Sequence, residues 1–364
     1  MEWQIRFIEV IVYSSIYGSA ALLLLLLLRK IAGKKINPGE RMLLWWTVIL
    51  AFILTMTIFP KGNFTTMYVN RGYGFPPFYM NFDIFGELKD DNIFVKTGDI
   101  QVAITAFIKG RLEILWSGNG NLLLNITFTL YLTGLIFTIL FYLITFIQLN
   151  RKLKSYLSSE DEKIKQYIQH DALFYGIKPP SIILVPQKFF KKIICPCVVG
   201  YFSPALMIVS EQWEKLSMEQ RQAVVTHEIY HIKRKDNFLN LFLILIQALQ
   251  WFNPVVWFGF KYLRQDLECL RDTQIIQYLT GKEKIQYAKA IVAIAAMSKK
   301  KYTAAMHSGM LCSCGIGYRI WLLQNHDKRW NRWGIILILL FVGLLIYTIS
   351  NKETIGLFTS RYVS

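Results

Sequence analysis

Hydrophobic residues along the chain fall into a few long runs that are separated by charged segments. Crossing a hydrocarbon core of about 30 Å takes roughly 17–25 helical residues. A helix is the favoured solution in such a run because it satisfies its own backbone hydrogen bonds. Four runs meet this length with little charge, and they predict transmembrane spans at 10–28, 42–59, 122–149 and 334–350.

The distribution of charge between these runs predicts an orientation. The chain of 364 residues has 41 Lys and Arg against 24 Asp and Glu, a net charge of +17. The loop 29–41 and the long segment 150–333 hold this excess, whereas 60–121 is balanced. Basic residues collect on the cytoplasmic side of membrane proteins, so we expect 29–41 and 150–333 inside and both termini outside. Direct nucleic-acid binding is the weaker interpretation of this charge.

The five cysteines agree with this topology, since all of them lie in 150–333. A reducing cytoplasm keeps thiols free. The Cys-x-Cys pairs at 195–197 and 312–314 could together hold a metal. They lack the usual Cys-x-x-Cys spacing and are far apart in sequence, so we expect reduced structural thiols instead.

Segment 150–333, the inner domain, has a pattern typical of a folded α+β domain. A charged helix is predicted near 159–175. Short β-rich runs follow at 182–185, 198–201 and 206–209. Ser217 and Gln220 then have the spacing of a capping box, so a helix should begin there and continue towards Asp236.

This helix contains the sequence His227-Glu228-Ile229-Tyr230-His231. Because the two histidines are four residues apart, both imidazoles lie on one helix face and can reach one zinc ion at about 2.0–2.1 Å. Glu228 lies beside them, where it can deprotonate a zinc-bound water without being a ligand. The alternative is two exposed histidines with a solvated glutamate, but the chain has only five histidines and the pattern rarely arises by chance.

In these features the sequence resembles the BlaR/MecR-type antirepressor metallopeptidases, which are β-lactam sensor-transducers and their sensorless relatives. The resemblance covers the four spans and the inner domain. It is most specific at 200–204, 227–237, 251–257 and 266–272. It implies a gluzincin-like zinc peptidase in which Glu268 is the third metal ligand. One position departs from the family pattern, since Arg271 precedes Asp272 where the family usually has Cys.

The residues themselves favour the same assignment. Glu268 and Asp272 are one turn apart on one face of a helix that Pro254 can start. We expect Glu268 to bind the metal and Asp272 to accept a hydrogen bond from a ligand imidazole. Asp236, one turn beyond His231, is the other candidate for this supporting role. The alternative is a solvated acidic helix face.

The apolar stretch 238–260 should not cross the membrane if this site is correct. A single span there would put Glu268 and His231 on opposite sides of the bilayer, where one ion could not bind both. Pro254 lies where a turn is needed. We therefore predict a helical hairpin over 238–263, packed in the inner domain or lying against the inner leaflet.

These observations predict a mainly α integral membrane protein with four transmembrane helices and a cytoplasmic α+β gluzincin-like zinc metallopeptidase domain. Its location would be the bacterial cell membrane, with the active site in the cytoplasm. The predicted segments are the first two spans within 1–60, an extracellular loop at 61–121, the third span at 122–149, the inner domain at 150–333, the fourth span at 334–350 and an extracellular tail at 351–364.

Three functions are compatible with this architecture. The first, which the resemblance implies, is a zinc endopeptidase that transduces a signal by cleaving itself and leads to inactivation of a cytoplasmic transcriptional repressor in an antibiotic or cell-wall stress response. The second is a non-catalytic membrane transducer with a structural zinc site, and the third is an intramembrane site-specific protease. We expect Zn²⁺ as the cofactor, the repressor as the substrate, the lipid bilayer as the surroundings and a possible homodimer, without direct nucleic-acid binding.

Some finer expectations concern the substrate and the signal. The run 198–203 is expected to bind an extended substrate by β-addition, and self-cleavage is expected within 299–324. In the antibiotic sensors of this family a penicillin-binding domain follows the fourth span. Only 351–364 follows it here, so covalent sensing of β-lactams is not expected. The short matches at 96–98 and 298–301 to motifs of that domain lie on opposite sides of the membrane and are set aside.

Overall fold

The computed structural model describes residues 2–32, 35–58, 120–154, 156, 162–186, 196–297 and 316–325, with the isolated positions 336, 340 and 343. Within these ranges the chain is mainly helical and has a small sheet. In chain order the elements are α1 (Glu2–Ala32), α2 (Pro38–Ile58), α3 (Gly120–Lys154), α4 (Glu162–Tyr175), β1 (Ser181–Val185), β2 (Cys197–Val199), β3 (Ala205–Val209), α5 (Ser210–Trp213), α6 (Met218–Lys233), α7 (Asp236–Leu249), α8 (Pro254–Ile275), a 3₁₀ helix (Ile276–Tyr278), α9 (Gly281–Met297) and α10 (Ile316–Gln324).

Helices α1, α2 and α3 are long and apolar enough to cross a membrane, which supports a membrane location. Their apolar stretches are Phe7–Ile31, Pro38–Thr55 and Leu122–Lys154. Protein buries 61% of the stretch in α2 but only 11% of that in α3, so α2 is central and α3 is peripheral. The loop 61–121, the predicted fourth span 334–350 and the tail 351–364 lie outside the described residues, apart from the three isolated positions.

The three strands form one sheet in the order β1-β3-β2. The central strand β3 is parallel to β1 and antiparallel to β2, with Cys197 opposite Met207. Every residue of β3 is buried because both faces of the sheet are covered. Leu206 and Ile208 pack into the core that α4, α6 and α9 share, while Met207 packs on the side of Leu153. This arrangement leaves β2 at an edge of the described sheet.

Helix α6 begins where the sequence predicts. The amide of Gln220 donates to Ser217 Oγ at 3.3 Å and the amide of Ser217 donates to Gln220 Oε1 at 3.0 Å, which is a complete capping box. The helix ends at Lys233 and does not continue to Asp236. Lys235 has a φ of 55°, in the left-handed region that ends an α-helix, so Asp236 begins α7 instead.

Helices α7 and α8 form a hairpin, with its turn between Leu249 and Pro254. Pro254 occupies the first turn of α8. Proline has no backbone N–H, but in the first turn of a helix this group has no partner within the helix, so no hydrogen bond is lost. The side chain of Asn253 caps the helix by accepting a hydrogen bond from the amide of Val255 at 3.0 Å. The turn between α7 and α8 therefore lies at the position that the sequence indicates.

The hairpin packs against α1, α2 and α3, which differs from the predicted place in the inner domain or on the inner leaflet. At its tip Asn253 Nδ2 donates to Ser15 Oγ and Ser19 Oγ at 2.8 and 2.7 Å. Tyr131 of α3 donates to the carbonyl of Leu249 at 2.9 Å. A turn among apolar helices needs such partners because an unpaired amide there is unfavourable. The hydroxyl groups of Ser15, Ser19 and Tyr131 supply these partners, so the turn can pack among α1 and α3.

Two glycines allow the hairpin to approach its neighbours closely. A Cβ atom on Gly134 of α3 would overlap the indole ring of Trp251 in the turn. A Cβ atom on Gly259 of α8 would overlap the side chain of Leu22 on α1. Small residues at helix contacts are a common means of close packing in membrane proteins. The position of the hairpin therefore depends on these two residues.

We predict that Gly134→Ala destabilises the protein, although Ala in a helix ordinarily stabilises it by about 0.5–1 kcal/mol relative to Gly. Displacing the rigid indole of Trp251 should cost about 1–3 kcal/mol. The thermal unfolding midpoint of the detergent-purified chain would then fall by a few degrees. Gly281→Ala is the matched control, because in the described part of the chain no other element lies within 4 Å of its Cβ position. Equal midpoints for the two variants would contradict the packing of the turn on α3.

Candidate metal centre

Three side chains from two helices converge on one point of the structure. His227 and His231 project from α6, and Glu268 projects from α8. One potential ligand atom of each lies within 4.8 Å of the others, and all three residues are buried. In the ranges that the structure describes, no other set of His, Cys, Asp and Glu residues meets this condition.

The distances between the donor atoms suit a tetrahedral metal ion. The Nε2 atoms of His227 and His231 lie 3.1 Å apart. In a tetrahedral zinc site with Zn–N bonds of about 2.0–2.1 Å, two ligand nitrogens are about 3.3 Å apart. Glu268 Oε2 lies 3.4 Å from His227 Nε2, and Glu268 Oε1 lies 3.8 Å from His231 Nε2. Three donors of this kind leave a fourth coordination position open.

His231 is oriented by a buried ion pair. Its Nδ1 atom lies 2.6 Å from Asp236 Oδ2. Burial raises the pKa of Asp236, but hydrogen bonds from Arg271 and His231 outweigh burial and hold that pKa below its usual value. An ionised carboxylate can only accept, so Nδ1 of His231 bears the hydrogen and Nε2 keeps its lone pair for a metal. Asp236 therefore contacts His231 from the first residue of α7, and not from an extension of α6.

Arg271, the position that departs from the family pattern, completes this support. Its Nε donates to Asp236 Oδ2 at 2.7 Å, and its Nη2 donates to Asp236 Oδ1. Such a bidentate pair fixes the carboxylate in orientation as well as in charge. Arg271 is 7% exposed and Asp236 is 3% exposed, so solvent screens the pair very little.

His227 is oriented through a tyrosine that the sequence did not single out. Tyr287 of α9 places its hydroxyl 2.5 Å from His227 Nδ1 and donates to Asp272 Oδ1 at 2.8 Å. Because the hydroxyl hydrogen is directed to Asp272, Nδ1 of His227 donates to the hydroxyl oxygen, and in the neutral imidazole that a metal requires Nε2 would keep its lone pair. The direct distance from His227 Nδ1 to Asp272 Oδ1 is 3.4 Å. Asp272 thus acts on the imidazole chiefly through Tyr287.

Arg319 of α10 is a second residue that sequence reasoning missed. Its Nε and Nη2 donate to the carboxylate of Asp272 at 2.6 and 2.8 Å, and its Nη1 lies 3.9 Å from Glu268 Oε2. Burial raises the pKa of Asp272, but the guanidinium of Arg319 outweighs burial and holds that pKa far below its ordinary value. A signal was available, since Arg319 is the one charged residue in the apolar helix IGYRIWLLQ.

The buried charges of the centre leave a deficit of positive charge. Four carboxylates face two guanidinium groups, a net of −2 with neutral imidazoles: Glu228, Asp236, Glu268 and Asp272 against Arg271 and Arg319. Burial lowers the pKa of His227, but Asp272 and Glu268 outweigh it and raise the pKa to about 9. Among the residues that the structure describes, Glu268 Oε2 is buried without a hydrogen-bond partner. A divalent cation at the three donors would supply both the missing charge and the missing partner.

Glu228 lies beside the three donors and lines a cavity of about 50 Å³. Burial raises the pKa of Glu228 to about 7, although the neighbouring His227 and His231 lower it. The rest of the cavity wall is mostly apolar and includes Val224 of α6 and Ile291 of α9. A carboxylate with a pKa near 7 can both accept and release a proton at neutral pH.

Asp266, two residues before Glu268, ties α8 to the basic end of α1 and α2. It accepts hydrogen bonds from Arg29 Nε at 3.1 Å, from Arg41 Nη1 at 2.9 Å and from Trp45 Nε1 at 2.9 Å. Asp266 is only 1% exposed, so its charge requires these partners. The spanning helices are therefore bonded directly to the helix that carries Glu268.

Arg41 also contacts α10. Its guanidinium donates to the hydroxyl of Tyr318 and lies 4.7 Å from the centroid of that ring. Tyr318 precedes Arg319, which holds Asp272. Arg41 thus contacts both α8, which carries Glu268, and α10, which carries Arg319.

The described cysteines are buried and free. Cys197 lies in β2 and Cys269 lies in α8, and neither forms a disulfide. Burial raises the pKa of the Cys197 thiol, and the nearby Glu228 raises it further, so the reactive thiolate form is disfavoured. The remaining cysteines, at 195, 312 and 314, lie outside the described residues.

Comparison with known proteins agrees with this geometry. The family described as BlaR1 peptidase M56 matches residues 9–323, and the chain therefore belongs to this metallopeptidase family. Over 105 residues the chain is 30% identical to the regulatory protein BlaR1 of Bacillus licheniformis, a stretch that is 29% of this chain and 17% of that protein. Over 97 residues it is 23% identical to the methicillin resistance mecR1 proteins of Staphylococcus aureus and Staphylococcus epidermidis. That stretch is 27% of this chain, and the chain covers 17% of the length of each of these curated relatives.

We predict that Asp236→Asn lowers the affinity for zinc by about 10–100-fold, the usual effect of losing a carboxylate that supports a ligand imidazole. Competition with a fluorescent zinc chelator would measure the affinity of the purified chain. Asp171→Asn is the matched control, since Asp171 is also buried and accepts a hydrogen bond from Thr226 on α6. A similar loss of affinity in both variants would show that general destabilisation is the cause.

Proposed function

We propose that this protein is a membrane-embedded zinc endopeptidase that transduces a signal. The observation that carries the proposal is the cluster of His227, His231 and Glu268, with both Nε2 atoms directed at one point and Glu228 buried beside it. Membership of the BlaR1 peptidase M56 family supports the same activity. The arrangement combines a set of three metal donors with a proton acceptor, which is the requirement for metal-assisted hydrolysis.

The donor set fits zinc. His227 and His231 would bind the ion through Nε2 and Glu268 through a carboxylate oxygen, which is a combination typical of catalytic zinc sites. When bound, the ion would act as a Lewis acid that polarises the scissile carbonyl and lowers the pKa of a water molecule. The residues of the chain supply the orientation of the donors, the exclusion of bulk water and the movement of protons.

Glu228 would perform the proton transfer. Its carboxylate would take a proton from the attacking water and release it to the nitrogen of the leaving amine. Its raised pKa, about 7, suits both steps. Arg319 lines the same cavity and is held by Asp272, so its charge is fixed near the reacting carbonyl without being free to move away. We assign it the neutralisation of Asp272 and Glu268, and not a role in proton transfer.

We further propose that an extended peptide binds along β2. That strand is at the edge of the described sheet and contacts α6. An edge strand offers unpaired backbone groups to a peptide. The mostly apolar cavity next to Glu228 would then receive one apolar side chain of the substrate.

The self-cleavage segment can be narrowed. Within the expected region 299–324, residues 316–324 form helix α10, and Arg319 on that helix is buried against Asp272. A buried helix cannot enter a protease site in extended form. We therefore propose cleavage within 299–315, which lies outside the described residues.

The cellular role of this activity is proposed from the family. Relatives of the chain are named as a regulatory protein and as methicillin resistance proteins. By analogy, an outside signal would trigger self-cleavage, and a cytoplasmic transcriptional repressor would then be inactivated. The basic ends of the spanning helices would face the cytoplasm, which places the metal centre on that side.

Two alternative functions make different demands on the site. A structural zinc site is usually closed by four protein ligands, whereas three converge here among the described residues. An intramembrane protease needs its motif among apolar spans. Here α6 packs instead against α4, α9 and the sheet. Both observations favour the peptidase with a site outside the bilayer.

We predict that Glu228→Gln abolishes proteolysis and leaves one zinc ion per chain, because the amide cannot accept the proton but removes no ligand. Glu268→Gln should instead lower the zinc content as well as the activity. The measurement is metal analysis of the detergent-purified chain, together with detection of its self-cleavage fragments on a denaturing gel.

Glu219→Gln is the control, since Glu219 is an exposed carboxylate in the first turn of the same helix. It should keep both zinc and proteolysis. The proposed peptidase activity would be refuted if the wild-type chain bound far less than one zinc ion, or if the Glu228→Gln chain still cleaved itself. Zinc retained together with signalling in Glu228→Gln would establish the non-catalytic transducer.

A further inference from the structure

A groove of about 640 Å³ lies between α2, α7 and the end of α8. Met42 and Trp46 line it on α2, and Phe238 and Phe242 line it on α7. We call it the α2–α7 groove. From Lys235 at its mouth to Phe242 it follows seven helical residues, or about 10 Å. Its volume is in the range of about 300–1,000 Å³ that small-molecule sites occupy.

The mouth of the α2–α7 groove is positively charged. Arg234 and Lys235 line it, and both are exposed. Among the described residues that line the groove, Asp236 is the one carboxylate, and it is already held by Arg271 and His231, so it does not cancel these charges. The amino terminus of α7 begins at the same place and adds partial positive charge. This combination attracts a phosphate group.

Exposed aromatic side chains indicate that the groove opens at a membrane surface. Trp46 is 45% exposed and Phe238 is 41% exposed. Phe202, in the loop between β2 and β3, is 91% exposed and packs edge-on against Phe238 at 5.8 Å. Aromatic exposure of this extent is unfavourable in water but common at the level of lipid headgroups.

We propose that the α2–α7 groove binds an anionic phospholipid. Its phosphate would lie between Arg234 and Lys235, and its acyl chains would lie along Trp46, Phe238 and Phe242. A soluble phosphate matches the charged mouth but not the apolar wall, and a zwitterionic lipid matches the wall but supplies no net charge for the mouth. An anionic phospholipid matches both parts of the groove.

The groove shares one wall with the metal centre. Arg271 lines the groove and holds Asp236, which in turn accepts the hydrogen bond from His231. A headgroup in the mouth would therefore lie beside the ion pair that orients one of the metal donors. The lipid site does not depend on the proposed peptidase activity, because it needs only this surface and a bilayer.

Fluorescence quenching tests the site in the full chain. The Glu228→Gln chain is reconstituted in phosphatidylcholine bilayers with increasing amounts of phosphatidylglycerol that has brominated acyl chains. The chain has 10 tryptophans, so the signal of Trp46 is obtained by subtracting a Trp46→Phe chain. We expect brominated phosphatidylglycerol to quench Trp46 at a mole fraction about tenfold lower than brominated phosphatidylcholine does. A tenfold preference corresponds to about 1.4 kcal/mol, which the attraction of two basic side chains to an anionic surface is enough to supply.

Matched variants separate the site from general charge effects. Arg234→Gln with Lys235→Gln should remove the preference for phosphatidylglycerol. Arg151→Gln with Lys152→Gln removes the same charge from the exposed basic end of α3 and should leave the preference unchanged. The conservative pair Arg234→Lys with Lys235→Arg should retain it. Zinc content monitors folding, and the single variant Lys235→Gln replaces the double variant if that chain does not fold.

Three results would overturn the proposal. The first is identical quenching of Trp46 by the two lipids, which indicates ordinary contact with surrounding lipid. The second is an equal loss of preference in the α3 variant. The third is displacement of the brominated lipid by soluble glycerophosphoglycerol, which indicates a site for free anions. Because the host chain is Glu228→Gln, none of these results bears on whether the wild-type chain is a peptidase.

Discussion

Three carboxylates on helix α8 are buried, and each must be neutralised by another part of the chain. An unpaired buried charge is far more unfavourable than an unpaired polar group, so these residues determine which elements assemble around α8. Asp266 binds α1 and α2 through Arg29 and Arg41, Glu268 faces the two histidines of α6, and Asp272 binds α10 through Arg319. Three buried carboxylates of one helix, which do not all point to the same side of it, therefore hold α1 and α2 together with α6 and α10.

Local signals in the sequence predicted the elements of the centre, but long-range packing determined its surroundings. The His-Glu-x-x-His spacing, the capping box at Ser217 and the break before Pro254 each depend on a few adjacent residues, and the structure has all three features. Tyr287 is 60 residues from His227, and Arg319 is 47 from Asp272, so no local pattern relates them. The insertion of the hairpin among α1–α3 depends on hydroxyl groups and glycines that only the assembled helices bring together.

The arginine at position 271 shows how a departure from a family pattern can be read in physical terms. The sequence comparison left its effect on the centre open, because a thiol and a guanidinium have little in common chemically. In the structure its charge balances Asp236, and this keeps the carboxylate ionised although it is buried. A neutral side chain in that place would leave Asp236 without the guanidinium that offsets its burial.

The continuity of α8 has a mechanical consequence. This single helix runs from the hairpin tip at Asn253, among the spanning helices, to Glu268 at the metal centre, and fifteen residues of α-helix measure about 22 Å. Rotation of such a rigid rod by about 3° about its tip displaces the far end by about 1 Å, whereas metal–ligand bonds tolerate only about 0.2 Å. A small tilt of the hairpin among α1, α2 and α3 would thus be transmitted along the rod, and the displacement at Glu268 would exceed what a metal–ligand bond tolerates.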